Sequence, residues 1–153
     1  MFRRLPAILL CAILIGGCQT TPDARFADPA STFRSYRQSL SAGDAELSWD
    51  CLGRRYQEAA FDGDLERWRA FVSADAGRQL ALDLDRREIA GEQQINDRVG
   101  FLQFDPTTVP DDVGPFFYFV KEDEGWKITT HTDSLFRAEL ESAIERGEFV
   151  LPR

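Results

Sequence analysis

The chain has 153 residues, with 18 Lys or Arg against 26 Asp or Glu and a formal net charge of −8. A surface this acidic does not grip nucleic acid or an anionic lipid face, where affinity comes from cations neutralising phosphates. The single histidine, His131, cannot build a multi-histidine metal centre.

The N-terminus comes first in chain order. Arg3 and Arg4 precede an apolar run from Leu5 to Ile15, the layout of a secretory signal and too short to span a bilayer. Ile15-Gly16-Gly17-Cys18 then resembles a bacterial lipobox. The resemblance implies a diacylglycerol on the Cys18 thiol, cleavage before Cys18 and acylation of the new amine. The other reading is an ordinary cleaved signal with Cys18 merely near its site. Two or three acyl chains anchor stably where one does not. Gln19, not aspartate, follows the cysteine, which implies the outer membrane of a bacterial envelope, with the domain facing the periplasm.

Cleavage removes 17 residues and leaves 136, with 16 basic and 26 acidic side chains and a net charge of −10. The membrane would therefore be held by the acyl chains alone. The expected organisation is a signal peptide at 1–17, a lipidated cysteine and tether at 18–27, and one domain at 28–153. Cys11 leaves with the signal and Cys18 takes lipid, so Cys51 has no partner for a disulfide and no thiolate zinc cluster can form. Cys51 is then either a buried small hydrophobe beside Leu47 and Leu52 or a free thiol.

Asp28-Pro29 is a helix start, and Phe33, Tyr36 and Leu40 fall on one face before Gly43. Asp44 caps a second helix through Leu52, which Gly53 breaks. Arg54 to Phe61 forms a third. Asp62-Gly63-Asp64 introduces a fourth, with Leu65, Trp68, Phe71 and Val72 on one face; it ends near Ala76-Gly77, with at most a further turn to Leu84. Glu88 to Arg98 reads as an exposed strand. Val99 to Phe104 is a firmer strand, apolar on both faces except at Gln103.

Asp105 to Gly114 is a long loop of the kind that forms functional rims. Phe116 to Val120 is a strand with both faces apolar, so both faces should be covered. Lys121 to Glu124 with Gly125 form the turn. Trp126, Ile128 and Thr130 alternate with Lys127, Thr129 and His131, which places the last three toward solvent. Asp133 or Ser134 caps a final helix carrying Phe136, Leu140, Ala143 and Ile144, stopped by Gly147. Phe149 to Leu151 adds a short strand or clamp. Helices followed by consecutive strands predict an α+β fold with an antiparallel sheet.

Two stretches resemble nuclear transport factor 2-like, or cystatin-like, domains. In Phe33–Leu52 the first helix closes at Gly43-Asp44 and the second bears Leu47, Trp49 and Leu52. Phe116–Ile128 carries the closing hairpin with Gly125-Trp126-Lys127-Ile128. The long helical region before the strands and the helix after them depart from the family pattern. The resemblance implies N-terminal helices packed on a curved, cone-like antiparallel sheet with a pocket at the wide end. The residues placed to line that pocket are Tyr36, Trp49, Phe101, Gln103, Tyr118 and Trp126. Sheet-to-sheet homodimers are common in that family, so the sheet face is a candidate dimer interface.

No catalytic set converges in the sequence. Asp50 and Tyr56 are of the type that family enzymes use as acid or base, although Asp50 also reads as a solvated carboxylate and Tyr56 as a core anchor. There is no phosphate loop, nucleophile elbow or metal motif. No cofactor, metal or nucleic acid is implied. The preferred reading is a lipid-anchored, non-catalytic domain that binds a small apolar ligand or a protein partner. Its rivals are a small acid/base isomerase or dehydratase and an envelope assembly lipoprotein.

Overall fold

The computed structural model describes residues 23–150; the signal segment, Cys18 and the chain up to Pro22 lie outside the described residues. The elements run α1 (Pro29–Ala42), α2 (Ala45–Asp50), α3 (Arg54–Phe61), α4 (Leu65–Ser73), α5 (Asp75–Asp85), β1 (Ile89–Gln94), β2 (Val99–Phe104), β3 (Phe116–Glu122), β4 (Gly125–Thr129) and α6 (Ser134–Glu145). The strands form one antiparallel meander in the order β1-β2-β3-β4. The fold is α+β, with a helix after the last strand.

Local chemistry sets most boundaries. Asp28 accepts the Ser31 amide at 2.6 Å and Pro29 follows it, which starts α1. Gly43, at φ 71, closes α1 by donating to the carbonyls of Leu40 and Ser39, a left-handed position that favours glycine. Asp44, Asp64 and Asp133 cap α2, α4 and α6 through their carboxylates.

The sheet is covered on both faces because its two central strands are apolar on both. Leu102, Phe104, Phe117 and Phe119 join Phe33, Tyr36, Trp68 and Leu84 from the N-terminal helices in one core. Val99, Phe101, Phe116, Tyr118 and Val120 point the other way and pack with Phe136 and Ala143 of α6 and with Phe149. Phe33 is fully buried, its ring 4.9 Å from Phe104 and 5.5 Å from Phe117. Trp68 is buried too, and its indole N–H donates to the Ala45 carbonyl at 3.1 Å and to Ser48 Oγ at 2.9 Å. Aromatic rings therefore fill the space between α1 and the sheet.

The structure corrects four expectations. Gly77 does not end a helix: α4 stops at Ser73, and Asp75–Asp85 is a full helix with Gly77 buried in its first turn. A Cβ at Gly77 would sit 2.6 Å from Val72 Cα and against the Phe71 carbonyl, so the glycine permits a close approach of α5 to α4. The hairpin turn is shorter than Lys121–Glu124, because Lys121 pairs with Trp126 and Glu122 with Gly125, which leaves two residues at the tip.

Lys127 and Thr129 are buried rather than solvent-facing, while His131 is exposed. Simple alternation fails at β4 because other segments cover it. Leu52 forms a parallel bridge to Ile128, Lys127 Nζ donates to the Asp50 carbonyl at 2.7 Å, and Thr129 Oγ1 donates to Asp133 at 3.0 Å. Finally, the folded unit begins before Asp28. Asp23 caps a short turn at Ala24–Phe26, and the buried Phe26 ring lies 3.7 Å beneath Lys127 Nζ. A Cβ at Gly125 would come within 2.7 Å of Phe26 Cβ, and Gly125 has φ 122.

Candidate functional site

The acid/base candidates do not meet. Asp50 ends α2, is exposed, and lies on a charged cleft of about 290 Å³ with Arg54, Glu122, Glu124 and Lys127. Tyr56 is half-buried on α3 and faces a different cleft of about 380 Å³, beside Thr129, Thr130 and Ser134. Burial raises the Tyr56 hydroxyl above its ordinary pKa, which favours the neutral phenol over a base. An acid and a base in separate clefts cannot act on one reacting atom.

The six residues placed around a cone pocket are distributed over both sides of the sheet. Tyr36 and Trp126 are buried in the core beneath the N-terminal helices. Phe101 and Tyr118 are cross-strand neighbours on the opposite face, under α6. Gln103 is exposed, and Trp49 is half-buried at the rim of the Asp50 cleft, 6.1 Å from Phe61 and 6.4 Å from Trp68. They do not share one cavity, because each strand sends alternate side chains to opposite faces. Among the described residues, no group of three or more His, Cys, Asp or Glu could hold a metal ion. No helix among them is long and apolar enough to cross a membrane.

The site that stands out was not legible in the sequence. Two cations, Arg87 and Lys127, are buried among the described residues. Lys127 is satisfied by the Asp50 carbonyl and by Glu124 at 3.5 Å. Arg87 is not: it is 7% exposed, and its Nε is a sealed donor with no acceptor. Its side chain makes no ion pair among the described residues, and its Cζ lies 5.5 Å from the Phe104 ring centroid and 5.7 Å from that of Phe117. Leaving a charged donor unsatisfied costs about 1–3 kcal/mol or more.

Three elements hold this arginine in place. It follows the last turn of α5, where its amide donates to the Leu84 carbonyl at 3.2 Å. Next to it, Glu88 is pinned to the loop after β2: its amide donates to Thr108 Oγ1 at 3.1 Å, and its carbonyl accepts from Asp105 N at 2.9 Å. From α1, Arg37 donates to the Arg87 carbonyl at 3.5 Å. The carboxylates of this end of α5 are committed elsewhere, Asp83 to Arg86 and Asp85 to Ser41 at 3.0 Å and to Arg37 at 3.9 Å. Burial lowers the guanidinium pKa from its ordinary value, with Asp83 and Tyr36 pulling the other way. Tyr36 stands beside the same Phe117 ring at 6.4 Å, and burial pushes its hydroxyl well above the usual range. Within Asp85-Arg86-Arg87-Glu88 nothing in the sequence separates Arg87 from its exposed neighbour Arg86.

Compared with known proteins, the chain matches no family model, and no curated protein or solved structure is significantly similar to it.

Proposed function

We propose that this chain is a bacterial envelope lipoprotein, tethered through acyl chains on Cys18, whose domain binds a small, largely apolar molecule without transforming it. The observation that supports the reading is Arg87, a buried guanidinium seated on two phenyl rings that makes no ion pair among the described residues. The separation of Asp50 from Tyr56 supports binding over catalysis. The order of basic residues, apolar run and Gly16-Gly17-Cys18 supports the envelope address.

The test is mass spectrometry of the full chain expressed in a bacterial host and extracted in mild detergent. The mature protein is expected to begin at an acylated Cys18 and, after denaturing extraction, to release a small molecule in near-stoichiometric amount. A protein retaining residues 1–17, or one that releases nothing, would contradict the corresponding half of the reading.

A further inference from the structure

Among the described residues, the sheet is open along one edge. Both faces are covered, by the N-terminal helices and by α6. The outer edge of β4 is occupied too: the Gly53 amide donates to the Ile128 carbonyl at 2.8 Å, and the Ile128 amide donates to the Cys51 carbonyl at 2.8 Å. The outer edge of β1 has no such cover. Ile89–Gln94 is exposed at every position but the half-buried Gly91, and it carries no Lys, Arg or Pro, the residues that ordinarily guard an edge strand.

The register identifies the free groups. The Ile95 amide donates to the Val99 carbonyl at 2.9 Å, so alternation turns the amides and carbonyls of Gly91 and Gln93 toward β2 and those of Glu92 and Gln94 outward. No side chain or loop among the described residues bonds to those outward groups.

The ladder they offer is self-complementary in one antiparallel register. A two-fold axis normal to the sheet sets one residue of β1 opposite its own copy. Centred on Glu92, it would oppose like carboxylates. Centred on Gln94, it would need the Asn96 amide, which already donates to the Val99 carbonyl at 3.3 Å. Nearer the start of the strand it meets the bulge between Ile89 and Gly91. Centred on Gln93, it lets Glu92 of each copy exchange both backbone hydrogen bonds with Gln94 of the other, and it sets the Gln94 carboxamide beside the Glu92 carboxylate. Glu92 Oε2 accepts the Ala30 amide at 3.2 Å, and its second oxygen, without a partner among the described residues, accepts from that carboxamide.

We infer that β1 is an interface for a second copy of this chain, paired antiparallel about Gln93 so that the two sheets become one. The ladder is short, so the pair is weak and depends on concentration. The inference is independent of the ligand-binding reading above.

The test uses the full-length chain in a neutral detergent. As protein concentration is raised, the amides of Glu92 and Gln94 should exchange about tenfold more slowly, while those of Gly91 and Gln93, already bonded to β2, keep their rates. Under mild oxidation Gln93→Cys should form a disulfide dimer, because self-opposed residues of a non-hydrogen-bonded pair have Cα atoms about 4.5 Å apart. Glu92→Cys and Gln94→Cys should cross-link about tenfold more slowly, since their copies sit diagonally at about 7–8 Å. Gln94→Pro removes an outward N–H and no internal one, and added to Gln93→Cys it should abolish the cross-link. The wild type, whose Cys51 is buried, is the control.

Exchange at Glu92 and Gln94 that does not change with concentration overturns the pairing. So does a Glu92→Cys dimer that forms as fast as the Gln93→Cys dimer, because the strands then do not meet at Gln93. If the proline variant fails to fold, the wild-type exchange and the comparison of cysteine positions still decide.

Discussion

Phe136 is the plug that closes the second face of the sheet, so Phe136→Ala measures how far α6 belongs to the fold. The side chain is 2% exposed and meets the Tyr118 ring at 5.1 Å in an edge-on contact. Truncating a buried Phe to Ala costs about 3–5 kcal/mol, of which the aromatic pair accounts for roughly 0.5–1.5. Docking of α6 also involves Ala143, Phe149, a bond from Asn96 to Glu139 at 3.0 Å and an ion pair from Arg98 to Glu139 at 2.6 Å. The helix can therefore stay in place around the cavity, and the expected loss is about 3 kcal/mol, the lower end of that range. In urea, with an m-value of about 2 kcal/mol/M, this moves the midpoint down by roughly 1.5 M. Hydrogen exchange read alongside should show α6 amides protected in the wild type and opening before the β2 and β3 amides in the variant. A midpoint shift under about 0.3 M, or unprotected α6 amides in the wild type, would refute the covered face and leave Val99, Phe101 and Tyr118 open to a second copy.

Three further outcomes follow from the same structure. Gly77→Ala should destabilise by about 1–3 kcal/mol through overpacking against the α4 backbone, although helix propensity alone would have it stabilise by about 1 kcal/mol; thermal melts give the sign directly. Cys51 is fully buried, and burial pushes its thiol from 9.0 up to about 12. The folded state therefore keeps its proton where the unfolded chain has lost it. This adds no pH dependence below about pH 8, but above it stability should fall, by up to about 1.4 kcal/mol per pH unit between about pH 9 and pH 12. Urea titrations of wild type and Cys51→Ala across that range should differ in slope, and native Cys51 should resist a thiol reagent at pH 8. Arg87→Met removes an orphan donor worth about 1–3 kcal/mol and loses two desolvated cation–π contacts of about 2 kcal/mol each, so the variant should lose about 2 kcal/mol or less in thermal melts. A loss of 3 kcal/mol or more would make Arg87 a structural residue instead.

The sequence carried the signals that act locally. Asp28-Pro29, Gly43, Asp44 and Asp133 mark helix ends through their own side chains or backbone freedom, and the two-sided apolar pattern of Phe116–Val120 required a cover on each face. What stayed hidden depends on distant segments. Gly77 looks like a stop until the α4 backbone is placed beside it. Lys127 and Thr129 look solvent-facing until Leu52, Phe26 and Asp133 close over β4. The resemblance placed Tyr36, Phe101, Tyr118 and Trp126 around one pocket, but strand register puts Phe101 and Tyr118 under α6 and Trp126 on the opposite face, with Tyr36 of α1. Arg87 had no signal at all, since a charged turn is the ordinary way to leave a helix. Only its position on Phe104 and Phe117, away from any free carboxylate, sets it apart.

The central claim, that the domain is a binding module for a small, largely apolar molecule, is tested most directly by native mass spectrometry. The full-length chain is released from mild detergent. The account predicts a small adduct that survives desalting. A bare mass would contradict it.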